Sequence, residues 1–453
     1  MTETQVPDTA GPHRAVPRFR ERTVRYFPGE LLSALHRRFG PVVKVGAGRS
    51  GFTYLLGPEA NKFVFANSDL FRWRDAFEWL VPVDGPTSIL LSDGDEHRRR
   101  RRLVQPTMHH RQIAGYLDTM TDNADQAIDS WRPGQVVDVY AALRTAIRRS
   151  TLQALFGPRL AGDARFFGDH VQVLLDLCDG LPQTVTWKRR LRTPEWRRAM
   201  VARARIDERI HTEIAHLREA GGGPGGPGGY VLTSLVHGRD ENGAALSDLE
   251  IRDQAVTLIV AGYETTSAAM AWAIYSLLST PGVWERAQHE VREVLGHRPP
   301  AAEDLKHLGY LNGVVQETLR LYPTVMVVGR KAARDFEFGG RRVREGSMLA
   351  ISPYVTHRLP EVWPDPLRFR PERWNPADPG YRKPALHEYL PFGAGPHRCI
   401  GATMAVTELT VMLARLLART SLRLPAQRIR PSSMISMRPH HGLRVEVVAR
   451  TPA

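Results

Sequence analysis

The chain has two cysteines in 453 residues, and Cys399 sits where a thiol could do chemistry. It lies in FGAGPHRCIG, Phe392 to Gly401, directly ahead of a helical run from Ala402 to Leu417. A glycine-rich loop that enters a helix presents unpaired amides and the positive end of the helix dipole. Both favour an anion, so they are expected to lower the thiol pKa toward the metal-binding thiolate. Gly393, Gly395 and Gly401 let backbone approach the sulfur and a flat cofactor closely. A buried cysteine in a glycine turn is the plain alternative. Cys178, in the apolar stretch VQVLLDLC, reads as a small buried side chain.

Three further groups stand out. Glu317 and Arg320 are three apart in a helical segment that ends before Pro323, so they share a face, and an ion pair is a sufficient explanation. The run Ala261 to Thr266, AGYETT, interrupts an apolar helical stretch from Ala255 to Leu278. Polar residues mid-helix are costly without a use, and the Ala-Gly pair leaves room against the backbone. A threonine pair bonded back to helix carbonyls would also account for the motif. In DGDEHRRRRRL, Asp93 to Leu103, His97 and Arg101 share a helix face at i,i+4. Five consecutive arginines otherwise read as a solvated or nucleic-acid-binding face.

Together these groups resemble the cytochrome P-450 family. Phe392, Gly395, Cys399 and Gly401 stand at the spacings of its haem signature, and the four motif regions follow in family order from about Pro41 to the C-terminus. The resemblance implies haem b held by the Cys399 thiolate, with Ala261, Gly262, Phe392, Gly393 and Gly401 against the cofactor. It makes His97, Arg101, Arg330 and His397 contacts of the haem propionates. It joins Arg373, in FRPERW, to Glu317 and Arg320 as a buried structural triad. Glu264 becomes the acid and Thr265 the alcohol that deliver protons to dioxygen, with Thr266 structural. Phe77, Trp79, Leu80, Val327, Val328 and Ile435 are the candidate substrate-pocket residues, each equally able to be ordinary core.

The implied activity is haem-dependent hydroxylation or epoxidation of an apolar molecule of terpenoid, steroid, macrolide or fatty acyl type, with O2 as co-substrate. Nothing in the chain resembles a flavin domain, a dinucleotide-binding fold or an iron-sulfur cysteine cluster. Electrons are therefore expected from a ferredoxin and a ferredoxin reductase. The arginines near His97, with Arg398, Arg382 and Lys383, are the expected docking patch for that acidic partner. Two other readings keep the cysteine loop without needing Glu264 and Thr265: a peroxide-driven or isomerising variant, and a non-catalytic haem sensor or carrier.

The elements that position these residues read as mainly helical with small sheets, an α+β fold with haem between the long central helix and the cysteine-loop helix. Length alone would favour two or three domains, but the family order implies one. Residues 1–40 form an N-terminal extension and leading segment, and 41–453 the haem domain, with a flexible loop at 221–229, GGGPGGPGG. Pro41 to Gly57 reads as a hairpin, short β-like runs follow Pro323, and helix resumes after Gly401. Met1 to Pro17 has no apolar signal core, and no run approaches the ~18 apolar residues of a membrane span. A cytoplasmic protein without a membrane anchor is expected. With 62 Lys+Arg against 48 Asp+Glu the net charge is +14, which attracts acidic partners. No zinc-finger, RNA-recognition or basic-zipper pattern accompanies it, so no nucleic acid is expected.

Overall fold

The structure, a computed structural model, describes residues 24–46, 51–221, 230–432 and 436–452. Most of the 221–229 loop and the pocket candidate Ile435 lie outside the described residues. The helices that carry the site and its frame are, in chain order, α1 (Phe27–Phe39), α2 (Gly94–Val104), α3 (Leu117–Asp129), α4 (Val139–Phe156) and α5 (Ala164–Cys178). They continue as α6 (Pro182–Leu191), α7 (Pro194–Ala220), α8 (Asp248–Ser279), α9 (Gly309–Leu321) and α10 (Ala402–Arg419).

The long helix α8 begins at a capping box. The Ser247 hydroxyl accepts from the Glu250 amide, and the Glu250 carboxylate accepts from the Ser247 amide. From Ile251 to Leu277 it is buried on nearly every face, as a helix at the centre of a large core must be. α4 packs along it, α3 packs on α4, and α10 closes the group by touching both α3 and α8. Charge fastens that last contact: the buried Arg415 and Arg419 of α10 reach Asp125 of α3 at 2.9 and 2.8 Å. Proline starts α1, α6 and α7, where a missing N–H costs nothing.

The largest sheet contains β1 (Val42–Val45), β2 (Phe52–Leu55), β3 (Phe71–Arg72), β4 (Val328–Ala332) and β5 (Met348–Ile351), in the order β1-β2-β5-β4-β3. β1 and β2 are the expected hairpin, registered Val42 to Leu55. β2 pairs with β5 in parallel, Phe52 opposite Met348, whereas β4 runs antiparallel to β5. A three-stranded sheet of Val136–Asp138, Thr420–Arg423 and Arg444–Arg450 lies at the ends of α4 and α10. The architecture is thus mainly helical with small sheets. No described helix is long and apolar enough to cross a membrane.

One buried acid in this frame is expensive. Glu408 of α10 is 1% exposed with the Ser150 hydroxyl of α4 as its polar neighbour, and desolvation pushes its carboxyl up to about 8. The unfolded chain gives up this proton near 4.5, the folded chain only near 8, so stability drains away as pH rises through that interval. Glu408→Gln removes the drain. Thermal melts should show the variant gaining on the parent toward about pH 9 and matching it near about pH 5; parallel curves would refute the assignment.

Candidate active site

The cysteine loop is built by three backbone bonds. The Gly393 amide donates to Leu390 O and the Arg398 amide to Gly395 O, both at 3.1 Å, and the Cys399 amide donates to Phe392 O at 2.9 Å. Gly393 and Gly395 take φ of 64° and 72°, a region that side chains avoid, so the turn depends on both being glycine. Cys399 is open on one side and stands two residues before Gly401, which caps α10. The expected lowering of its thiol pKa is not found. Enough protein surrounds the sulfur that burial pushes the thiol up, against the smaller opposing pull of the Gly401 amide, Arg101 and Arg398. The helix end alone does not make a thiolate here, because desolvation outweighs it.

Beneath this loop the expected triad is assembled. Glu317 and Arg320 are fully buried and paired twice, Arg320 Nε to Oε2 at 2.9 Å and NH2 to Oε1 at 2.8 Å. Arg373 Nε reaches Glu317 Oε1 at 3.3 Å. The Arg370 amide and Trp374 Nε1 also donate to Glu317, each at 3.0 Å. Arg320 donates its remaining protons to the carbonyls of His357, Pro366 and Arg368.

His357, which sequence reasoning did not single out, carries this network to the cysteine loop. Its Nδ1 faces Arg320 O at 3.1 Å, and its Nε2 accepts the Leu390 amide at 3.0 Å. The two contacts require the neutral Nδ1–H tautomer. Burial, then the Arg320 charge, hold the imidazole pKa far below its ordinary value.

Of the four residues expected at the propionates, Arg330 and His397 pack on a residue that was not foreseen, Trp73. Arg330 lies over its ring, Cζ 3.9 Å from the centroid, and His397 stacks on it at 4.3 Å and 6°. His97 lies 4.0 Å beyond His397, ring to ring. Arg101 NH1 donates to Arg398 O at 2.8 Å, tying α2 to the cysteine loop. Burial, with the charges of His397 and Arg101, pushes His97 down to about 4, and burial pushes Arg330 down to about 9.

Asp93 is the carboxylate of this cluster. It meets His397 Nε2 at 3.3 Å and is already occupied by the amides of Trp73 and Arg74. Among the described residues Arg330 has no ion-pair partner within 4.0 Å. A buried arginine beside two histidines and a second arginine, short of anions, fits a cofactor that brings carboxylates, as haem does.

The other arginines of the run are paired within the chain. Arg98 pairs with Asp95, Arg99 with Asp240 and Glu250, Arg100 with Glu96 and Glu250, and Arg102 with Glu241. Arg99, Arg100 and Arg102 thereby tie α2 to the chain entering α8 and to its first turn, whereas Arg98 pairs within α2, and Arg98 and Arg102 stay more than half exposed. Arg382 is paired with Glu388 at 2.7 Å, and Arg382, Lys383 and Arg398 are all exposed.

On α8 the burial breaks once. Ala261 is exposed and Val260, Gly262 and Thr265 are half-buried, while the residues on either side are buried. Thr265 Oγ1 donates to Ala261 O at 2.8 Å, and Thr266 Oγ1 to Gly262 O at 2.9 Å, so both threonines do bond back to their helix. Gly262 owes its size to α4, since a Cβ there would stand 3.0 Å from Thr151 Cγ2. Glu264 is buried toward α4, accepting from Tyr140 Oη at 3.1 Å and Arg144 Nε at 2.9 Å, with Arg438 Nε at 3.6 Å. Tyr140 and Arg144 had no signal in the sequence, being one tyrosine and one of many arginines on an ordinary helix.

The pocket candidates Phe77, Trp79, Leu80, Val327 and Val328 are all partly buried. Phe77 stacks on Trp73 at 5.0 Å. The adjoining segment is fastened to α8: Asp253 accepts the Thr87 amide and hydroxyl at 2.9 and 2.7 Å, and Gln254 Oε1 accepts the Ile89 amide at 2.7 Å.

The description of the cytochrome P450 family matches residues 19–446. The chain belongs to the cytochrome P450 family. Cytochrome P450 139 of Mycobacterium tuberculosis is 54% identical over 433 residues, covering 95% of this chain and all of that protein. Cyclooctat-9-en-7-ol 5-monooxygenase of Streptomyces melanosporofaciens is 34% identical, covering 87% of this chain and 85% of its own. The solved structure of a retinoic acid-bound cyanobacterial CYP120A1 superposes with a TM-score of 0.80 at 26% identity, over 92% of this chain and 94% of that one. The protein is an oxidoreductase of the haem-thiolate monooxygenase kind, and family membership implies haem with a cysteine thiolate ligand and the use of O2.

Because the buried pair has no solvent to fall back on, Glu317→Ala should strand Arg320 and cost about 3–5 kcal/mol. Denaturant unfolding of the purified variant measures this; a loss below about 1 kcal/mol would mean the pair is not holding the fold.

Proposed function

We propose that this P450 hydroxylates or epoxidises an apolar small molecule of terpenoid, steroid, macrolide or fatty acyl type, terpenoid first, using electrons from a ferredoxin and its reductase. The single break in the burial of α8 carries the reading. A core helix leaves Ala261 exposed and Thr265 half-covered only where something other than protein is to lie against it. The terpenoid preference is supported by the relative named for a monooxygenation of cyclooctat-9-en-7-ol.

When bound, the haem iron with its thiolate supplies reductive activation of dioxygen, one oxygen atom going to substrate and the other leaving as water. The residues that would hold it are Cys399 on one side, Ala261 and Gly262 on the other, Phe392, Gly393 and Gly401 along the loop, and His97, Arg101, Arg330 and His397 at the carboxylates. Thr265 keeps a proton at Oγ1, parked on Ala261 O and next to the open stretch of helix. Glu264 holds its carboxylate on the far side, against Tyr140 and Arg144, where it can pass protons inward without lying in the substrate space. Phe77, Trp79, Leu80, Val327 and Val328 offer the apolar wall, and Ile435 completes the proposed set. For the electron donor, the exposed Arg398 beside Cys399, with Lys383, offers cations of the expected docking patch.

Two variants test this. Cys399→Ser should abolish the thiolate-type spectrum of the reduced carbon monoxide complex; if that spectrum persists, the ligand assignment is wrong. Thr265→Ala, assayed with a surrogate ferredoxin system, should lower product formed per electron consumed by about tenfold or more. Unchanged coupling would remove the proton-delivery role.

A further inference from the structure

One buried carboxyl has no part in the chemistry above. Asp84 ends the helical turn Val81–Asp84, which packs on α8, and it is 3% exposed. Two arginines whose charge reaches it are engaged elsewhere. Arg203 of α7 donates to Val81 O at 2.9 Å and to Pro82 O at 2.5 Å, and Arg252 of α8 is held by Asp207 and Asp253. Among the described residues Asp84 has no ion-pair partner within 4.0 Å. The Thr257 hydroxyl faces it, yet Thr257 Oγ1 is also bonded to Ser88 Oγ at 2.9 Å. A carboxylate can accept about four hydrogen bonds, and one shared hydroxyl leaves it short of donors. Burial pushes the carboxyl up to about 7, against the Thr257 hydroxyl and the charges of Arg203 and Arg252, with Asp253 adding to the rise.

Thr257 stands one turn ahead of Ala261 and two turns ahead of Thr265, so the three follow one side of α8 in steps of about 6 Å. That is the side on which the burial of α8 breaks. Asp84 therefore lies at the upstream end of the opening, about 12 Å along the helix from Thr265. The pocket candidates Trp79 and Leu80 lead directly into its turn. The end of α5 is beside it as well: Cys178 is buried, and the charge of Asp84 adds to burial in pushing that thiol up to about 12.

We propose that Asp84 is a specificity-determining residue that accepts a hydrogen bond from a hydroxyl at the end of the substrate remote from the oxidised carbon. The substrate is then an apolar skeleton bearing an alcohol, and not a hydrocarbon. This rests on the apolar-substrate reading above and narrows it. An ammonium is disfavoured by the charges of Arg203 and Arg252 close by. A purely apolar pocket would prefer the hydrocarbon, because burying an unanswered hydroxyl is costly, so preference for the alcohol is the mark of the acid.

The test is equilibrium dialysis of the haem-loaded full chain against matched pairs that differ by one hydroxyl: androstanol with androstane, geranylgeraniol with its deoxy hydrocarbon, and dodecanol with dodecane. At about pH 8 at least one alcohol should bind about tenfold or more tighter than its partner. Asp84→Leu should erase that preference while the hydrocarbon binds as well as before. Asp84→Asn, which keeps the shape and one acceptor, should retain part of it. A hydroxyl bonds more strongly to a carboxylate than to a carboxyl, so the parent's preference should fall between about pH 8 and about pH 6, whereas that of Asp84→Asn should stay flat. The groups that face Asp84 are Thr257, Arg252 and Asp253 of α8, Arg203 of α7 and Cys178 of α5. Equal binding within every pair, a preference that Asp84→Leu leaves intact, or one pH profile shared by the parent and Asp84→Asn overturns the inference and leaves the apolar-substrate reading standing. Binding of neither partner in any pair overturns both.

Discussion

A carboxylate and a guanidinium with no access to water can coexist only if nearly every lone pair and proton is answered, and Glu317 with Arg320 meets that condition. Glu317 accepts from Arg320, Arg370, Arg373 and Trp374, and Arg320 gives its other protons to three carbonyls of the 357–368 segment. The pair thereby fixes α9 against a stretch of chain that has little regular structure of its own. Through His357 and the Leu390 amide the same set of bonds reaches the loop that presents Cys399. An irregular loop can then hold a thiol in a defined place, because its footing is a closed hydrogen-bond network and not its own local preference.

The opposite wall is positioned by packing. α8 is held by α4, α10 and the 81–92 segment, and it departs from close packing only where Ala261 is exposed and Thr265 half-covered. The rim between the two walls is a stack of rings and cations short of negative charge. A cluster of this kind raises the energy of the empty chain and is relieved by an anionic ligand, so cofactor binding and folding are thermodynamically linked.

What could be read in the sequence was what lies within one segment. The FGAGPHRCIG loop, the Glu317–Arg320 spacing, the β1–β2 hairpin and the course of α8 are local patterns with local causes. What could not be read depends on distant neighbours. The Cys399 thiol goes up and not down because protein from several segments surrounds it. The arginine run is matched by Asp240, Glu241 and Glu250, more than a hundred residues away. Gly262 is small for the sake of Thr151 on another helix. Trp73, His357, Tyr140 and Arg144 could not have been picked out, since each acquires its role from a contact across the fold.

The parallel pairing of β2 with β5 has a consequence for how the molecule comes into being. Phe52 to Tyr54 find their partners at Met348 to Ala350, and the cluster of rings and cations draws together positions 73, 97, 330 and 397. Neither can close until its later partner, at 348–350 or at 397, has left the ribosome. Long-range pairing of this kind also slows folding. The early helices therefore wait, partly assembled, for the last quarter of the polypeptide, and the site closes late in synthesis.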